Sequence, residues 1–449
     1  MLEIKFNPFN RGRGLWKFNN SLLSDKVYVQ KVKETIQSVC SQYLDNCNST
    51  DFQCKEGVDE SLFLEVLMME IRGVTISYSS YRKKRKDNLE KKLLQEIEFL
   101  ESDLDINFDR LEEKKVALEN LRKEYLQGHM IRSRARWIEE GEKPSKYFCN
   151  LESRNFLNKT IKKIYIEGIG MVYEQAEILD NIRSYYDKLY ASTESNLIDI
   201  ELQSLFNNYN IPKLDKDTAA GLEHDILESE VLTVLKKMKN NKSPGSDGYT
   251  VEFFKFFWKD LKLFVVKAIN CIFYNKELPI SQRLGIISCL PKGDKPRQYL
   301  KNWRPITLLN VLYKIISGCL SQRIKDTLDH IISETQSGFL KGRYIGENTR
   351  FIYDILSFTE LHNIPGLLVL IDFEKAFDSM SWSFIYKVLE FFGFGEYIIE
   401  WIKILNTKFR ASILQSGFLS EQLDVQGDVD KVTLLHRIFS LFVLKSLQS

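Results

Sequence analysis

One long stretch of the chain has neither glycine nor proline and carries a hydrophobic or aromatic side chain at every seventh position. It extends from Tyr81 to just before Gly128. The repeating positions are Ile97, Leu104, Leu111, Leu118 and Tyr125. A seven-residue repeat is typical of a helix with one apolar seam, so the pattern predicts a single helix over 82–127 that ends at Gly128. Two alternatives stay open: an antiparallel helical hairpin with a turn near Asp103–Asn107, and a coiled coil in which residues 97–125 mediate self-association.

Shorter signals predict other elements. Ser24 or Asp25 is placed to cap the start of a helix. Apolar residues on either side of Gly168 predict two short strands joined by a turn. The densest turn signal is NNKSPGSDG at 240–248, and the apolar VEFFKFFW that follows predicts a buried helix.

The composition is that of a folded chain with a sizeable core. Of the 449 residues, 44% are hydrophobic and 28% are charged, which excludes wholesale disorder. No apolar run is long enough to span a bilayer, and the N-terminus lacks the form of a signal peptide. We therefore expect a soluble intracellular protein with no membrane partner. The formal net charge of +2 is too small to indicate a partner, so only the distribution of charge is informative.

A basic loop lies between a predicted strand and an apolar helix within Ile286–Ile316. Its cations are Lys292, Lys295, Arg297, Lys301 and Arg304. Cations on such a loop suit a triphosphate, because they neutralise phosphate charge and arginine binds it through two hydrogen bonds. The loop lacks the GxxxxGK[ST] pattern of a P-loop. An ordinary surface hairpin is the alternative.

Two further stretches carry candidate chemistry. In ETQSGFLKGRYIGENTR at 334–350, a glycine recurs every four residues among cations and rings, which suits close approach to phosphates and bases. Farther on, the apolar Leu367–Ile371 predicts a buried strand that ends at Asp372. A carboxylate at the tip of a buried strand suits a divalent metal, although a helix cap is the simpler interpretation.

A cluster of arginines with an adjacent tryptophan follows the heptad stretch. Its members are Arg132, Arg134, Arg136 and Trp137. Cations with stacking rings suit a nucleic-acid backbone, and a solvated charged face is the alternative.

These stretches, in this order, resemble the reverse transcriptase of non-LTR (LINE-type) retrotransposons. RGRGLWKFNNSLLSD at 11–25 resembles the segment after the endonuclease domain, and RSRARWIEEGEKPSKYF at 132–148 resembles the following linker. KSPGSDGYTVEFFKFFW at 242–258 resembles the first motif of the polymerase. The resemblance implies an α+β fold, with reverse-transcriptase fingers and a partial palm preceded by a mostly helical extension that includes the long heptad helix. It also implies an RNA template, a DNA primer or target, dNTPs and a nuclear or cytoplasmic location.

The resemblance implies a role for individual residues. Asp372 matches the first catalytic aspartate, a ligand of Mg²⁺ in the intact enzyme, and the Phe373 carbonyl is a further ligand. Phe377 matches the residue that selects dNTPs. Lys292 in LPK and Arg304 in NWRPI match the residues that hold the incoming triphosphate. The positions that match the template-contacting motif are Gln336, Gly338, Phe339 and Arg343.

The chain departs from the family near its end. No DD doublet of a YxDD turn follows Asp372. Back-translation of Gln426–Phe439 with a one-base shift allows Gly-Cys-Arg-Gln-Gly-Asp-Pro, the motif the family has next. We therefore expect a frame-shifted tail and a truncated, inactive polymerase. A non-enzymatic RNA-binding remnant and a helical interaction protein are the alternatives.

The expected domain organisation has five parts. They are a remnant of the post-endonuclease linker (1–80), the heptad helix or helical hairpin (81–128), a basic and aromatic linker with the helical extension (129–235), the fingers and first part of the palm (236–426), and the frame-shifted tail (427–449).

Overall fold

The computed structural model describes residues 12–47, 51–102, 108–133, 160–190, 212–332, 336–337, 340, 342–370 and 382–425. Within them, helices predominate and the strands form three small sheets. This mixture confirms the α and β character that the sequence predicts. The helices are α1 (Lys26–Tyr43), α2 (Glu60–Glu101), α3 (Phe108–Ser133), α4 (Gln175–Tyr190), α5 (Lys216–Ala220), α6 (Glu228–Lys237), α7 (Val251–Phe256), α8 (Trp258–Asn275), α9 (Val311–Ile331), α10 (Ile345–Leu361), α11 (Trp382–Phe391) and α12 (Glu396–Asn406). The strands are β1 (Leu44–Cys47), β2 (Phe52–Cys54), β3 (Ile164–Ile166), β4 (Gly170–Val172), β5 (Leu284–Pro291), β6 (Trp303–Leu308), β7 (Arg410–Gln415) and β8 (Phe418–Asp424). No helix in these ranges has the length and apolar character needed to cross a bilayer.

The start of α1 is fixed by Asp25, one of the two predicted caps. Its carboxylate accepts hydrogen bonds from the backbone N–H of Val27, at 3.1 Å, and of Tyr28, at 3.4 Å. It also accepts one from the Tyr78 hydroxyl of α2, at 2.8 Å. The cap therefore joins two helices as well as starting one, since it satisfies backbone donors that α1 leaves unpaired.

The prediction of one helix over 82–127 is wrong, because two helices occupy that stretch. The first, α2, begins at Glu60 and ends at Glu101, so the expected domain boundary between residues 80 and 81 falls inside it. The second, α3, runs through Gly128 to Ser133. A single glycine costs a helix only about 1 kcal/mol, which neighbouring turns offset. The connecting residues, 103–107, lie outside the described part of the chain.

The two helices form the antiparallel hairpin that the sequence left as an alternative. Glu90 of α2 pairs with a cation in the second half of α3, whereas the later Glu96 and Glu101 pair with cations near the start of α3. These pairs are Glu90–Arg122 at 3.1 Å, Glu96–Lys114 at 2.7 Å and Glu101–Lys115 at 2.8 Å. The apolar seam is buried between the helices and forms a separate small core. Its members are Leu93, Ile97, Leu100, Leu111 and Leu118. Leu104 and the side chain of Tyr125, also part of the repeat, lie outside the description.

The main sheet has the strand order β6-β5-β7-β8. β5 pairs antiparallel with β6 and parallel with β7, and β7 pairs antiparallel with β8. Pro305 lies in β6, at the edge of this sheet, where its missing N–H leaves no ladder bond unmade. The prediction of two strands around Gly168 is also confirmed, because β3 and β4 form a hairpin with Tyr165 opposite Met171.

The N-terminal segment shares one hydrophobic core with the sheet and the central helices. Phe18 and Phe63 belong to the same cluster of buried residues as Phe253 of the predicted buried helix, α7. The Tyr249 hydroxyl donates to the Met68 carbonyl at 2.6 Å. The N-terminal segment is therefore packed as part of the same core as the sheet and α7.

Residues 12–18, which we call the N-terminal strap, cross two turns that lie far along the chain. The N–H of Gly12 donates to the Ser416 carbonyl and that of Gly14 to the Gly417 carbonyl, both at 2.9 Å. The N–H of Phe18 donates to the Gly248 carbonyl, also at 2.9 Å. The strap thus connects the β7–β8 turn to the turn that precedes α7.

The prediction of a buried strand at Leu367–Ile371 is wrong for its described part. Residues 367–370 form no regular structure, and Leu367 is 89% exposed while Leu370 is 79% exposed. A strand requires a neighbour to pair with its backbone, and no described strand pairs with these residues. Ile371 lies outside the description.

Candidate nucleotide and template site

The predicted basic loop joins β5 to β6 in an antiparallel hairpin. β5 is anchored by Ile286, Ile287 and Cys289, all of which are buried. Its register places Leu290 opposite Arg304. Three successive positions, Gly285–Ile287, are buried, which fits an apolar strand covered on both faces, and this burial fixes the position of the loop that follows.

Lys292 and Arg304 lie on the same face of this hairpin. The N–H of Lys292 donates to the Asn302 carbonyl at 2.9 Å, which continues the ladder by one step beyond β5. Because Leu290 pairs with Arg304 and side chains alternate along a strand, Lys292 is a diagonal neighbour of Arg304. Arg304 is exposed. The Lys292 ammonium donates to the Lys301 carbonyl at 2.7 Å. The hairpin therefore brings together the two cations that the sequence predicts for a triphosphate.

The loop between these cations is held by its own side chains. The Trp303 indole N–H donates to the Arg297 carbonyl, and the Asn302 amide donates to the Pro296 carbonyl, each at 2.8 Å. Gly293 adopts a φ of 55°, a conformation that residues with a side chain rarely adopt. The loop thus presents its basic residues from a fixed backbone, which lowers the entropy cost of binding an anion.

Gln336 and Arg343 are brought into contact, but through the backbone. The Arg343 guanidinium donates to the Gln336 carbonyl at 2.8 Å and to the Ile332 carbonyl at 3.5 Å. It also lies 3.8 Å from the Asp329 carboxylate at the end of α9. Gln336 is buried. In this arrangement Arg343 fixes the backbone of the segment after α9.

A polar side chain that sequence reasoning missed joins three segments near the β5–β6 hairpin. The Asn310 amide oxygen accepts from the Asp247 N–H at 3.2 Å and from the Ser246 hydroxyl at 3.3 Å. Its amide nitrogen donates to the Ser281 carbonyl at 2.8 Å. A Cβ at Gly245 would overlap Asn310, so only glycine fits there. A lone asparagine after a strand gives no signal of this role, since its partners are distant in sequence.

Asp247, in the same turn, has an altered acidity. Burial raises the pKa of its carboxyl to about 7. The Tyr249 N–H, which donates to the carboxylate at 3.0 Å, opposes this shift because it favours the charged form. Arg72 and Lys314 oppose it in the same way.

Five of the predicted site residues lie outside the described part of the chain. They are Gly338, Phe339, Asp372, Phe373 and Phe377. Among the residues that are described, no three His, Cys, Asp or Glu side chains come together as a metal site. The implied Mg²⁺ ligands, Asp372 and Phe373, lie outside these residues, so the metal site stays a prediction.

Comparison with known proteins places this geometry in a family context. Residues 290–427 match the family described as reverse transcriptase (RNA-dependent DNA polymerase). The chain is 29% identical over 406 residues to the transposon TX1 uncharacterized 149 kDa protein of Xenopus laevis, covering 90% of this chain and 30% of that protein.

Two Drosophila melanogaster proteins are similar over shorter regions. One is the probable RNA-directed DNA polymerase from transposon X-element, 30% identical over 152 residues, which are 33% of this chain and 17% of that protein. The other is the Pol polyprotein from the type-2 retrotransposable element R2DM, 25% identical over 209 residues, which are 46% of this chain and 18% of that protein. The chain thus spans less than a third of the length of each of these relatives. Residues 290–427 are thus similar to reverse transcriptase domains, and the resemblance of the chain to the proteins of non-LTR retrotransposons is confirmed.

Proposed function

We propose that this chain is part of an RNA-directed DNA polymerase of a LINE-type retrotransposon, which copies an RNA template into DNA inside the cell. The supporting observation is the β5–β6 hairpin, which carries Lys292 and Arg304 on one face within the region that matches the reverse transcriptase family. Two cations on a fixed hairpin suit an incoming dNTP, because phosphoryl transfer depends mainly on positioning and on neutralising the triphosphate charge.

The remaining roles follow from the resemblance. Phe377 selects the deoxyribose of the dNTP. Asp372 and the Phe373 carbonyl hold Mg²⁺, which supplies positive charge to the attacking and leaving oxygens when it is bound. The template contacts are made by Gln336, Gly338, Phe339 and Arg343, with Arg343 acting through the backbone that it holds.

We infer further that the 449-residue chain does not polymerise by itself. No DD doublet follows Asp372, and one carboxylate holds two metal ions poorly. The family match ends at residue 427, next to Gln426, after which the sequence predicts a change of frame. This agreement supports the frame-shifted tail.

Primer extension tests both parts of the proposal. A DNA primer on an RNA template is supplied with dNTPs and Mg²⁺ or Mn²⁺. The 449-residue chain is expected to add no nucleotide. A longer protein, translated from a gene in which one base is restored after codon 426 so that the downstream codons are in frame, is expected to extend the primer. In the restored enzyme, Asp372→Ala should abolish extension.

Asp424→Ala is the matched control, because this carboxylate is 74% exposed and is paired with Arg410 on the hairpin. It should leave extension by the restored enzyme intact. Extension by the 449-residue chain that Asp372→Ala abolishes would show that the proposed set of metal carboxylates is wrong. Failure of the restored enzyme to extend would overturn the polymerase proposal.

A non-enzymatic RNA-binding role is the second candidate. The observation in its favour is the run Arg82–Lys86 on α2, where five successive residues are cationic and Lys83, Lys84 and Arg85 are exposed. The helical interaction protein has less support, because the apolar seam that self-association through 97–125 would use is buried within one chain. If the 449-residue chain binds RNA with an affinity that falls steeply as salt rises, the RNA-binding role is favoured over the helical interaction protein.

A further inference from the structure

The β3–β4 hairpin packs against the basic loop between β5 and β6, although the two are more than a hundred residues apart in the chain. The N–H of Tyr165 donates to the Gln298 carbonyl at 2.9 Å. The Tyr165 and Tyr299 rings meet edge to face, with their centroids 5.8 Å apart. The β3–β4 hairpin thus covers one side of the basic loop, and the resemblance implies no function for this hairpin.

The β3–β4 hairpin is firmly anchored on its inner side. Ile164 and Val172 are buried, as is Ile161 just before the first strand. The Gln415 amide of β7 donates to the Ile161 carbonyl at 3.3 Å. Tyr165 alternates with these positions, points away from the core and is 45% exposed. An exposed ring on a rigid support loses little entropy when it binds a ligand.

The surroundings of the two rings are strongly basic. Residues 160–173 and 292–304 together contain seven cations and two carboxylates. The Lys301 ammonium lies 5.8 Å from the centre of the Tyr299 ring, and Lys162 and Lys163 are exposed next to Tyr165. Rings interleaved with cations are the composition that binds single strands, because bases stack on the rings while cations meet the phosphates.

We propose that Tyr165 and Tyr299, with Lys162, Lys163 and Lys301, form a contact surface for single-stranded nucleic acid. We call it the tyrosine surface. Bases stack on the two rings, and the three lysines neutralise the adjoining phosphates. The proposal rests on the proposed function for the class of ligand. It adds a stacking surface beside Lys292, whose ammonium donates to the Lys301 carbonyl, and stacking does not depend on base sequence.

Fluorescence anisotropy with labelled 12-nucleotide oligo(U) and oligo(dT) tests the tyrosine surface on the full chain. Each Tyr→Leu change, at Tyr165 or Tyr299, is expected to weaken binding about 5- to 150-fold, because stacking contributes about 1–3 kcal/mol per base. Each Tyr→Phe change keeps the ring and should retain affinity within about two-fold. Equal losses for both oligonucleotides show that the surface binds either kind of strand, and a loss for one alone restricts the proposal to that kind.

A second variant tests the lysines without touching the rings. Lys162→Met with Lys163→Met should reduce the slope of log affinity against log salt by about 1.4, since each phosphate contact on a single strand contributes about 0.7. The matched control is Tyr274→Leu. This tyrosine is 67% exposed, and its hydroxyl contacts the Asp225 carboxylate at 3.0 Å, so it lies in an acidic setting and its loss should leave binding unchanged.

The outcomes separate this inference from the proposed function. Binding by the Tyr165→Leu, Tyr299→Leu double variant within two-fold of the unaltered chain overturns the tyrosine surface alone. Equal losses from Phe and Leu changes also overturn it, because the ring would then be irrelevant. If the unaltered chain binds neither oligonucleotide, both this surface and the RNA contact in the proposed function are overturned. Circular dichroism establishes that each variant keeps its helical content.

Discussion

Replacing Arg323 should destabilise the fold far more than replacing a similar cation nearby. Arg323 lies in α9, and its side chain is only 5% exposed. Its guanidinium makes two hydrogen bonds to the Glu230 carboxylate of α6, at 2.7 and 2.8 Å. It also donates to the backbone carbonyls of Leu222, at 3.0 Å, and His224, at 2.7 Å. One side chain thus holds α6 and the segment before it against α9.

The magnitude follows from what Arg323→Met would leave behind. The Glu230 carboxylate, whose side chain is 23% exposed, would lose its charged partner, and the two carbonyls would lose their donor. Removing one member of a buried ion pair costs about 3–5 kcal/mol, because the remaining charge stays desolvated. We therefore expect the free energy of unfolding to fall by about 3–5 kcal/mol at pH 7.

Lys262→Met is the matched control, because it also breaks an ion pair to a glutamate of α6. Lys262 of α8 contacts Glu228 at 3.0 Å, but the two side chains are 41% and 48% exposed. An exposed pair contributes under about 1 kcal/mol, since water and salt screen it. Urea-induced unfolding followed by tryptophan fluorescence measures both variants. A loss for Arg323→Met no larger than the loss for Lys262→Met would refute the argument from burial.

The same pair gives a pH dependence with a definite sign. Burial acts to raise the pKa of Glu230, but the hydrogen bonds from Arg323 and the Leu227 N–H outweigh it and lower that pKa below its ordinary value of 4.5. A lowered pKa in the folded state contributes stability above pH 4.5, which is lost as the pH falls through the folded value. The difference in stability between the unaltered chain and Arg323→Met should therefore narrow in acid. A constant difference from pH 7 down to pH 3 would contradict this coupling.

Two further predictions concern nucleic acid and acidity. The triple change of Arg132, Arg134 and Arg136 to Ala should weaken RNA binding and reduce the salt slope in filter binding by about 2, because three phosphate contacts are lost; an unchanged slope would remove this cluster from the interface. Burial raises the pKa of Asp247 to about 7, so its stabilising contribution is complete below its unfolded value of 3.8 and is lost as the pH rises through about 7. Between pH 5 and pH 8, the free energy of unfolding of Asp247→Asn should therefore rise by about 2–3 kcal/mol relative to that of the unaltered chain. If urea titrations show that the two free energies change in parallel with pH, this prediction is contradicted.

Features that depend on neighbouring residues in the sequence are predictable from it. Asp25 caps the backbone just after it, and Gly168 lies in the turn between two strands that pair with each other. The heptad stretch could not be predicted in the same way, because a seven-residue repeat fits a helical hairpin as well as one continuous helix. The position of the turn decides which apolar side chains pack against each other, and the heptad residues do not specify that position.

Features that depend on distant partners were missed or wrongly predicted. The apolar run after Gly366 indicates a buried strand by composition, but burial requires a neighbour, and none of the described strands pairs with residues 367–370. Asn310 and Arg323 gave no signal, because their partners are 29 or more residues away. In the candidate site, the sequence predicts that Lys292 and Arg304 lie on one hairpin, which the register confirms, while the anchoring of Arg343 on main-chain carbonyls depends on a bend in the chain.

The N-terminal strap constrains the order in which the chain folds during synthesis. Its partners at Ser416 and Gly417 emerge from the ribosome about 400 residues after Gly12. Since synthesis proceeds at about 5–20 residues per second, roughly 20–80 seconds pass between synthesis of the strap and synthesis of the β7–β8 turn. The partner of Phe18, at Gly248, is available much sooner. We therefore expect the strap to close in two stages: its C-terminal end docks first, and Gly12 and Gly14 stay unbound until the β7–β8 hairpin has been made.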